Sequence, residues 1–242
     1  MLVPPDRIAS VTYLAHDAVE VLMPGADRGL RTNRGTAEDL VRDRPDLILT
    51  NPWAAQQMNR LAEKVGAPMV EIGSASNFED IRRITRQAGA AVGEPERAEE
   101  LIAAMDRDLA ELGATSPAEP MRVVAWNGDG SVPGKGTLTD AIIRAAGAEN
   151  VAATMPDSRF STYGMEELLL ARPDAILRGN STYDQPSLRE TANEHPLIRK
   201  AFAGRQIAYP ASLYGCGLPI STKAAQQLRD ALETVPEGPV RW

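Results

Sequence analysis

The stretch ARPDAILRGN, residues 171–180, repeats in outline the stretch DRPDLILTNP, residues 43–52. Both contain Arg-Pro-Asp-x-Ile-Leu, and the second copy lies 128 residues after the first (Pro173 against Pro45). Acidic residues and leucines precede each copy, which predicts a short helix that ends before the proline, because proline disfavours helix in the residue before it. The apolar run after each proline predicts a buried strand of a parallel sheet. This self-similarity indicates that the chain contains two related halves.

Two weaker sequence similarities extend the repeat to the remaining predicted strands. RIASVTYL (7–14) resembles RVVAWNGD (122–129), and GAPMVEIG (66–73) resembles GRQIAYPA (204–211). Each half therefore predicts the order strand, helix, strand, helix, strand. That alternation favours an α/β fold with parallel sheets, because parallel strands need helical crossovers between them.

A single long helix is predicted between the two halves, over EPERAEELIAAMDRDLAELGA (94–114). Pro95 suits the first turn of a helix, and a helix from Pro95 to Leu112 would span roughly 27 Å. We therefore predict an N-terminal lobe over residues 1–93, a linker helix over 94–114 and a C-terminal lobe over 115–242. One apolar stripe runs along the linker helix and comprises Ala98, Leu101, Ile102, Met105, Leu109 and Leu112.

Composition narrows the class of protein. The 242 residues are 43% hydrophobic and 24% charged, with a net charge of −7, and this mixture without a basic cluster argues against a nucleic-acid partner. No apolar run approaches the ~20 residues that cross a bilayer. The single cysteine, Cys216, excludes an internal disulfide, and with two histidines, His16 and His195, the chain cannot form a His-rich metal site.

Ligands of open parallel sheets bind beyond the carboxyl ends of the strands. Aromatic residues at such ends indicate a broad, flat, partly apolar ligand, although the same rings could instead close the core of their lobe. Trp126 in particular could point inward from its strand. The candidate ligand contacts after the predicted strands are Tyr13, His16, Trp53, Trp126, Asn127, Arg178 and Tyr214.

Two of these candidates suggest specific chemistry. His16 could ligate a metal that the ligand carries, since imidazole is a common metal ligand, or it could stabilise its loop. Arg178 could pair with a carboxylate or phosphate of the ligand.

The glycine-rich stretch NGDGSVPGKGT (127–137) resembles a phosphate-binding loop but fails its requirements. Asp129 stands where a P-loop needs glycine, and Gly136 stands where it needs Ser or Thr. A turn of Gly134, Lys135 and Gly136 that opens a helix could still offer backbone N–H groups to an anion. Because no Ser/His/Asp order or close carboxylate pair is recognisable, we predict a binding protein without a cofactor, and not an enzyme.

In order and spacing, these segments resemble the substrate-binding proteins of ABC importers, in the helical-backbone (class III) family that serves cobalamin, iron-siderophore and haem uptake. The resemblance implies two Rossmann-like lobes with parallel sheets joined by one long α-helix, a ligand held between the lobes, and delivery of that ligand to a membrane permease. It covers nearly the whole chain and rests on RIASVTYLAHD, NRGTAEDLVRDRPDLIL, EPERAEELIAAMDRDLAEL, GKGTLTDAIIRAAGAENVAA, YGMEELLLARPDAIL and HPLIRKAFAGRQIAYP.

The resemblance also implies roles for individual residues. Trp53 is the nearest match to an aromatic of the cobalamin-binding branch, Tyr214 stands where a C-lobe aromatic is frequent, and the Gly134–Lys135–Gly136 turn matches a loop that faces the cleft. Family members dock on the permease through one acidic residue on each lobe. Here Glu190 or Glu194 could serve on the C-terminal lobe, whereas Gln56 and Gln57 occupy the N-lobe position.

Family members begin with a strand and a helix ahead of the segment that matches PPDRIASV (4–11). We therefore expect the N-terminal lobe to lack its first strand and helix in this sequence. We also expect the precursor to carry an export signal to the periplasm.

Together these observations predict a monomeric periplasmic receptor for a bulky metal chelate: cobalamin, an iron-siderophore or haem. Stacking on Trp53 and Trp126 would supply much of the binding free energy. A free-metal receptor would need three or four converging ligands, for which His16 is the only plausible imidazole. Two further functions stay open: a two-lobed nucleotide-sugar enzyme such as a glycosyltransferase, and a sensor or scaffold descended from such receptors.

Overall fold

The computed structural model describes residues 1–52, 66–126, 131–154, 160–180, 195–238 and 240. The chain divides into two compact units. The first comprises Met1–Ala75 and Glu79–Ala104, and the second comprises Ser76–Phe78 and Met105–Trp242.

The α-helices in the described part of the chain are α1 (Tyr13–Leu22), α2 (Ala37–Asp43), α3 (Phe78–Val92), α4 (Pro95–Ala114), α5 (Leu138–Ala145), α6 (Met165–Ala171), α7 (Pro196–Ala201), α8 (Ala211–Gly215) and α9 (Thr222–Leu232). Short 3-10 turns span Pro5–Arg7, Val151–Thr154 and Pro219–Ser221. Across the ranges that the structure describes, we find no helix with the length and apolar character of a membrane span.

The strands are β1 (Val11–Thr12), β2 (Thr32–Asn33), β3 (Ile48–Thr50), β4 (Met69–Glu71), β5 (Arg122–Ala125), β6 (Ser131–Pro133), β7 (Glu149–Asn150), β8 (Phe160–Thr162), β9 (Ala175–Asn180) and β10 (Gln206–Pro210).

Parallel pairing dominates the sheets of both units. In the first unit β1 pairs with β2 and β3 pairs with β4, both in parallel. In the second unit β10, β9, β5 and β7 form, in that order, a four-stranded parallel sheet. A separate antiparallel ladder joins β6 to β8. The α/β class with parallel sheets is therefore confirmed.

The Arg-Pro repeat gives the same local structure in both units. The seven-residue helices α2 and α6 each end at an arginine in the left-handed region, Arg44 at φ 44° and Arg172 at φ 47°. Proline after each arginine disfavours a further right-handed turn, so the chain leaves the helix there and enters β3 or β9. The equivalent leucines of the two helices, Leu40 and Leu168, are both buried. The internal repeat is thus a repeat of structure.

The long helix predicted between the halves is present as α4, which runs for 20 residues. Pro95 begins it, as its fixed φ favours. The residues of α4 up to Ala104 belong to the first unit, and those from Met105 onward belong to the second. Four residues of the predicted apolar stripe are fully buried: Ala98, Ile102, Met105 and Leu112.

Helices α3 and α4 approach each other closely at Gly89. A Cβ atom added there would lie 2.5 Å from Cβ of Ala98 and 3.0 Å from the carbonyl oxygen of Glu94. Gly93, at φ 74°, makes the turn between the two helices, a conformation that costs other residues free energy. The helical hairpin therefore depends on glycine at a helix position that would otherwise favour alanine.

We expect Gly89→Ala to lower the free energy of unfolding by about 1–3 kcal/mol, because overpacking forces the two helices apart. Gly113→Ala is the matched control, since Gly113 also lies in a helix but has no atom within 4 Å of an added Cβ. That control should be neutral or stabilising by up to about 1 kcal/mol. Urea denaturation measures both, and equal effects of the two substitutions would contradict the close approach.

A carboxylate–guanidinium pair stabilises the end of α2 in the first unit. The side chain of Asp43 is 2% exposed and accepts hydrogen bonds from Arg42 Nε at 2.7 Å and Nη2 at 2.9 Å. Arg31 lies 3.7 Å away from the same carboxylate. The hydrogen bonds from Arg42, assisted by one from Ser10, lower the pKa of Asp43 to about 2. The ionised carboxylate is therefore a native-state feature.

This lowered pKa predicts a component of acid sensitivity. Because the folded-state pKa lies below the unfolded value, the stabilisation is present above about pH 4 and is lost as the pH falls towards 2. Asp43→Asn should remove that component, so the variant should lose less unfolding free energy between pH 6 and pH 2.5 than the wild type, by about 1 kcal/mol at most after solvent screening.

Denaturation at the two pH values measures the difference, with Asp46→Asn, an exposed aspartate nearby, as the control. If the free energy of unfolding of wild type and of Asp43→Asn fell equally with pH, the Arg42–Asp43 pair would contribute nothing to stability.

Candidate functional site

Most of the described candidate residues belong to the second unit, which contains the four-stranded parallel sheet. Strands β9 and β10 continue past the end of β5, since Leu177 pairs with Ala125 and Asn180 pairs with Pro210. Helices that connect parallel strands run back against them, so the first turns of α5 and α6 lie at the carboxyl edge of this sheet. This edge is where α/β sheets bind ligands.

The turn of Gly134, Lys135 and Gly136 leads from β6 into α5 at this edge. Gly136 has φ 77°, which explains the glycine. Thr137 closes the turn: its hydroxyl donates to the carbonyl of Gly134 at 2.8 Å and accepts from the backbone N–H of Asp140 at 3.2 Å. Lys135 and Gly136 are exposed, so the turn presents a lysine to solvent.

The backbone N–H of Gly136 is directed inward, which corrects part of the expected anion site. It donates to Oδ2 of the buried Asp140 over 3.4 Å. A carboxylate of the chain thus occupies one of the donors that an external anion would use. The positive group offered by this turn is the Lys135 side chain.

Sequence reasoning missed two buried polar residues beneath the turn, Asp140 and Asn150. The Thr137-x-x-Asp140 spacing is a recognisable helix-capping pattern and could have indicated the first. Asn150 lies at the end of β7, carries no local signal, and is brought to Asp140 only by the fold.

Trp126 lies inside the second unit, with 2% of its surface exposed. Its indole Nε1 donates to the carbonyl of Tyr163 at 2.9 Å, and its backbone N–H extends the sheet by donating to the Leu177 carbonyl at 3.0 Å. Side chains alternate along a strand, so Trp126 shares the core-facing side of Val124, within the same apolar cluster. The sequence left open whether Trp126 contacts the ligand or points into the core, and in the structure it points into the core. Its ring therefore has almost no exposed surface on which a ligand could stack.

Tyr214 lies in α8 and not in the loop expected after β10. The backbone bond from Cys216 N to Ser212 O closes this short helical turn. The Tyr214 ring is 6% exposed and lies 4.2 Å from the ring of Tyr209, at 45° to it. Burial, and secondly Tyr209, raise the pKa of Tyr214, so its phenol keeps its proton at physiological pH.

Arg178 lies within β9, two residues from its end, rather than after the strand. Its Nη1 donates to Oε1 of Gln206 at 2.7 Å. Gln206 pairs in register with Ile176, so this hydrogen bond directs the guanidinium back along the sheet, away from the carboxyl edge. The strand continues past Leu177 because β10 offers it three further partners.

In the first unit, Tyr13 and His16 lie in the first turns of α1 and not in a loop. Thr12 begins this helix early, because its hydroxyl accepts a hydrogen bond from Ala15 N at 3.3 Å. Tyr13 is 53% exposed and His16 is half-buried. Residues three apart in a helix share a face, so this face offers an aromatic ring beside an imidazole.

The other predicted site residues lie outside the described residues: Trp53, Asn127, Glu190 and Glu194. Within the described ranges, no three His, Cys, Asp or Glu side chains lie close enough together to hold a metal ion.

The sequence matches the family model described as periplasmic binding protein over residues 10–206. No curated protein sequence matches the chain significantly.

Several solved structures share the fold at low sequence identity. The periplasmic haem-binding protein HutB of Vibrio cholerae has a TM-score of 0.73 and 20% identity, covering 93% of this chain and 99% of its own. The Fe³⁺-hydroxamate transport protein of Saccharomonospora viridis has a TM-score of 0.66 and 16% identity, covering 95% and 93%. The periplasmic vitamin B12-binding protein BtuF of Vibrio cholerae has a TM-score of 0.64 and 14% identity, covering 97% and 99%.

The buried position of Trp126 predicts a structural effect without a binding effect. Trp126→Phe leaves the Tyr163 carbonyl without its indole donor. The free energy of unfolding measured by urea denaturation should therefore fall by about 1–3 kcal/mol. Affinity for any ligand of the native protein should stay within about twofold, a difference of less than about 0.5 kcal/mol. A large loss of affinity with unchanged stability would place the indole at the ligand instead.

Proposed function

Because the chain belongs to the periplasmic binding protein family, we propose that it is the substrate-binding receptor of an ABC importer. Its ligand is a bulky metal chelate: a cobalamin, an iron-siderophore or a haem. The receptor acts outside the cytoplasmic membrane as a monomer and hands the chelate to the membrane permease. No bond is made or broken in the ligand.

The observation that carries this proposal is the family match over residues 10–206. The ligand class is supported by the similar structures, whose names refer to haem, ferric hydroxamates and vitamin B12. These ligands share a broad, partly apolar framework around a coordinated metal. A receptor for such ligands needs aromatic surface and a few charges, and it need not supply metal ligands of its own.

The proposed ligand contacts come from both halves of the chain. Tyr13, with its ring half exposed, and Trp53 contribute apolar contact from the N-terminal lobe, and Lys135 contributes charge from the C-terminal lobe. Covering one large aromatic side chain is worth on the order of 1.5–3 kcal/mol before ordering costs. His16, which shares the helix face of Tyr13, is the proposed group to approach a metal that the ligand carries. Tyr214 stays in the proposed set as a protonated phenol at the edge of the site.

The proposed arrangement places the ligand between an N-terminal lobe (1–93) and a C-terminal lobe (115–242), with the helix at 94–114 as a stiff connection. A continuous helix resists bending more than a flexible linker does, so the two lobes should move little on binding. Docking on the permease uses Glu190 or Glu194 of the C-terminal lobe.

The experiment uses the colour of these ligands. Visible absorption and native mass spectrometry of the purified protein should reveal a bound chelate. Titration with haemin, cyanocobalamin and ferrichrome, followed by tryptophan fluorescence, then gives the affinities. Trp53→Ala and Tyr13→Ala should each weaken binding about tenfold or more, as the loss of apolar contact implies.

Matched controls are Trp242→Ala, which removes a tryptophan near the end of the chain, and Leu14→Ala, which removes the exposed neighbour of Tyr13. Neither should change affinity by more than about twofold. Tight binding of free metal ions without a chelator would contradict the proposal and favour a free-metal receptor. Turnover of a nucleotide sugar would contradict it as well and favour a glycosyltransferase.

A further inference from the structure

A buried carboxylate lies directly beneath the lysine turn of the second unit. The side chain of Asp140 is 1% exposed and uses both of its oxygens. Oδ1 accepts from Asn150 Nδ2 at 3.2 Å, while Oδ2 accepts from Gly136 N at 3.4 Å and pairs with Arg144 Nη2 at 3.0 Å. Burying a charge is costly unless it is fully hydrogen-bonded, and these contacts meet that requirement.

Asn150 connects the carboxylate to the other side of the turn. Its Nδ2 donates to the carbonyl of Pro133 at 3.1 Å as well as to Asp140, and its Oδ1 accepts from Ala152 N at 3.2 Å. An ordinary helix cap would need only the Thr137 hydroxyl and the carboxylate. The Asn150 amide extends this network to the last residue of β6, which immediately precedes the turn.

The network therefore holds the backbone on both sides of Lys135. Pro133 is held through Asn150, Gly136 is held through Asp140, and the Thr137 hydroxyl closes the turn onto Gly134. The Lys135 side chain is exposed between these fixed points. We call this network of Asp140, Asn150 and Thr137 the clamp. Because a preorganised group loses less entropy on binding, the clamp favours one direction of approach for the Lys135 ammonium.

We propose that Asp140, acting with Asn150, is a positioning residue that aims Lys135 at an acidic group of the ligand. This inference rests on the proposed receptor function and narrows its ligand to chelates that carry a carboxylate or a phosphodiester. The ammonium is the recognition group, and the inward-directed Gly136 amide is not. Haemin would offer carboxylates and cyanocobalamin a phosphodiester, so the two probes distinguish the sources.

A double-mutant cycle tests the coupling between Asp140 and Lys135. Haemin and cyanocobalamin are titrated into wild type, Lys135→Met, Asp140→Asn and the double variant. Lys135→Met removes one charge-assisted contact. It should weaken binding of the probe whose acidic group Lys135 contacts, haemin or cyanocobalamin, about tenfold. Asp140→Asn should weaken it about three- to tenfold when Lys135 is present, but less than about twofold when Lys135→Met is already in place. A purely structural role would give the same loss in both backgrounds and would overturn the proposal.

Two further kinds of variant guard against a misfolded protein. Gly136→Ala strains the turn at φ 77° without crowding, because no atom lies within 4 Å of the added Cβ, so it should reproduce the pattern of Asp140→Asn. Lys223→Met and Asp230→Asn remove the same charges from exposed positions of α9. These controls should leave affinity within about twofold.

Hydrogen exchange tests the clamp without any ligand. The Gly136 amide should exchange about tenfold faster in Asp140→Asn than in wild type or Asp230→Asn, because asparagine offers one acceptor oxygen in place of two and its NH2 group then faces the donor of Gly136 or of Asn150. Unchanged exchange would overturn the clamp. If neither probe binds wild-type protein, the proposed function fails for these chelates, and exchange still decides whether Asp140 holds the turn.

Discussion

The proline after each repeated helix is the constraint on which the architecture depends. Pro45 and Pro173 force the preceding arginine out of the right-handed helix, and both arginines adopt the left-handed region. Each helix therefore ends at the arginine before its proline, and a parallel strand begins a few residues later. With the helix end and the strand start set in both units, the carboxyl ends of those strands, where α/β sheets bind ligands, are set as well.

Buried polar contacts hold the ends of elements in both units. In the first unit, the covered Asp43 carboxylate pairs with the half-exposed Arg42 guanidinium at the end of α2. In the second, Asp140 and Asn150 hold the turn that begins α5. A buried carboxylate stabilises a structure only if its oxygens are satisfied, and both carboxylates meet that condition. The two differ in consequence: the first secures a helix end, whereas the second determines how an exposed lysine is presented.

Periodic features could be read from the sequence because they depend on neighbours along the chain. The repeat, the stripe of α4 and the parallel strands follow from such patterns and are present in the structure. Predictions about strand ends were less accurate. Arg178 remains within β9 because β10 continues beside it, and Tyr13 begins a helix because Thr12 caps it. These boundaries are decided by partners across the sheet or by a single hydroxyl.

By itself, the sequence determined the α/β class, the duplication of the helix–proline–strand unit and the position of the long helix, since each is encoded by local spacing. Only the tertiary structure decided which candidate side chains reach solvent. Trp126 is enclosed because β5 continues by one residue against the cluster around Phe202. Lys135 is exposed in a turn that Asn150, from a separate strand, bonds at the Pro133 carbonyl. Exposure depends on residues distant in sequence, so no local pattern could specify it.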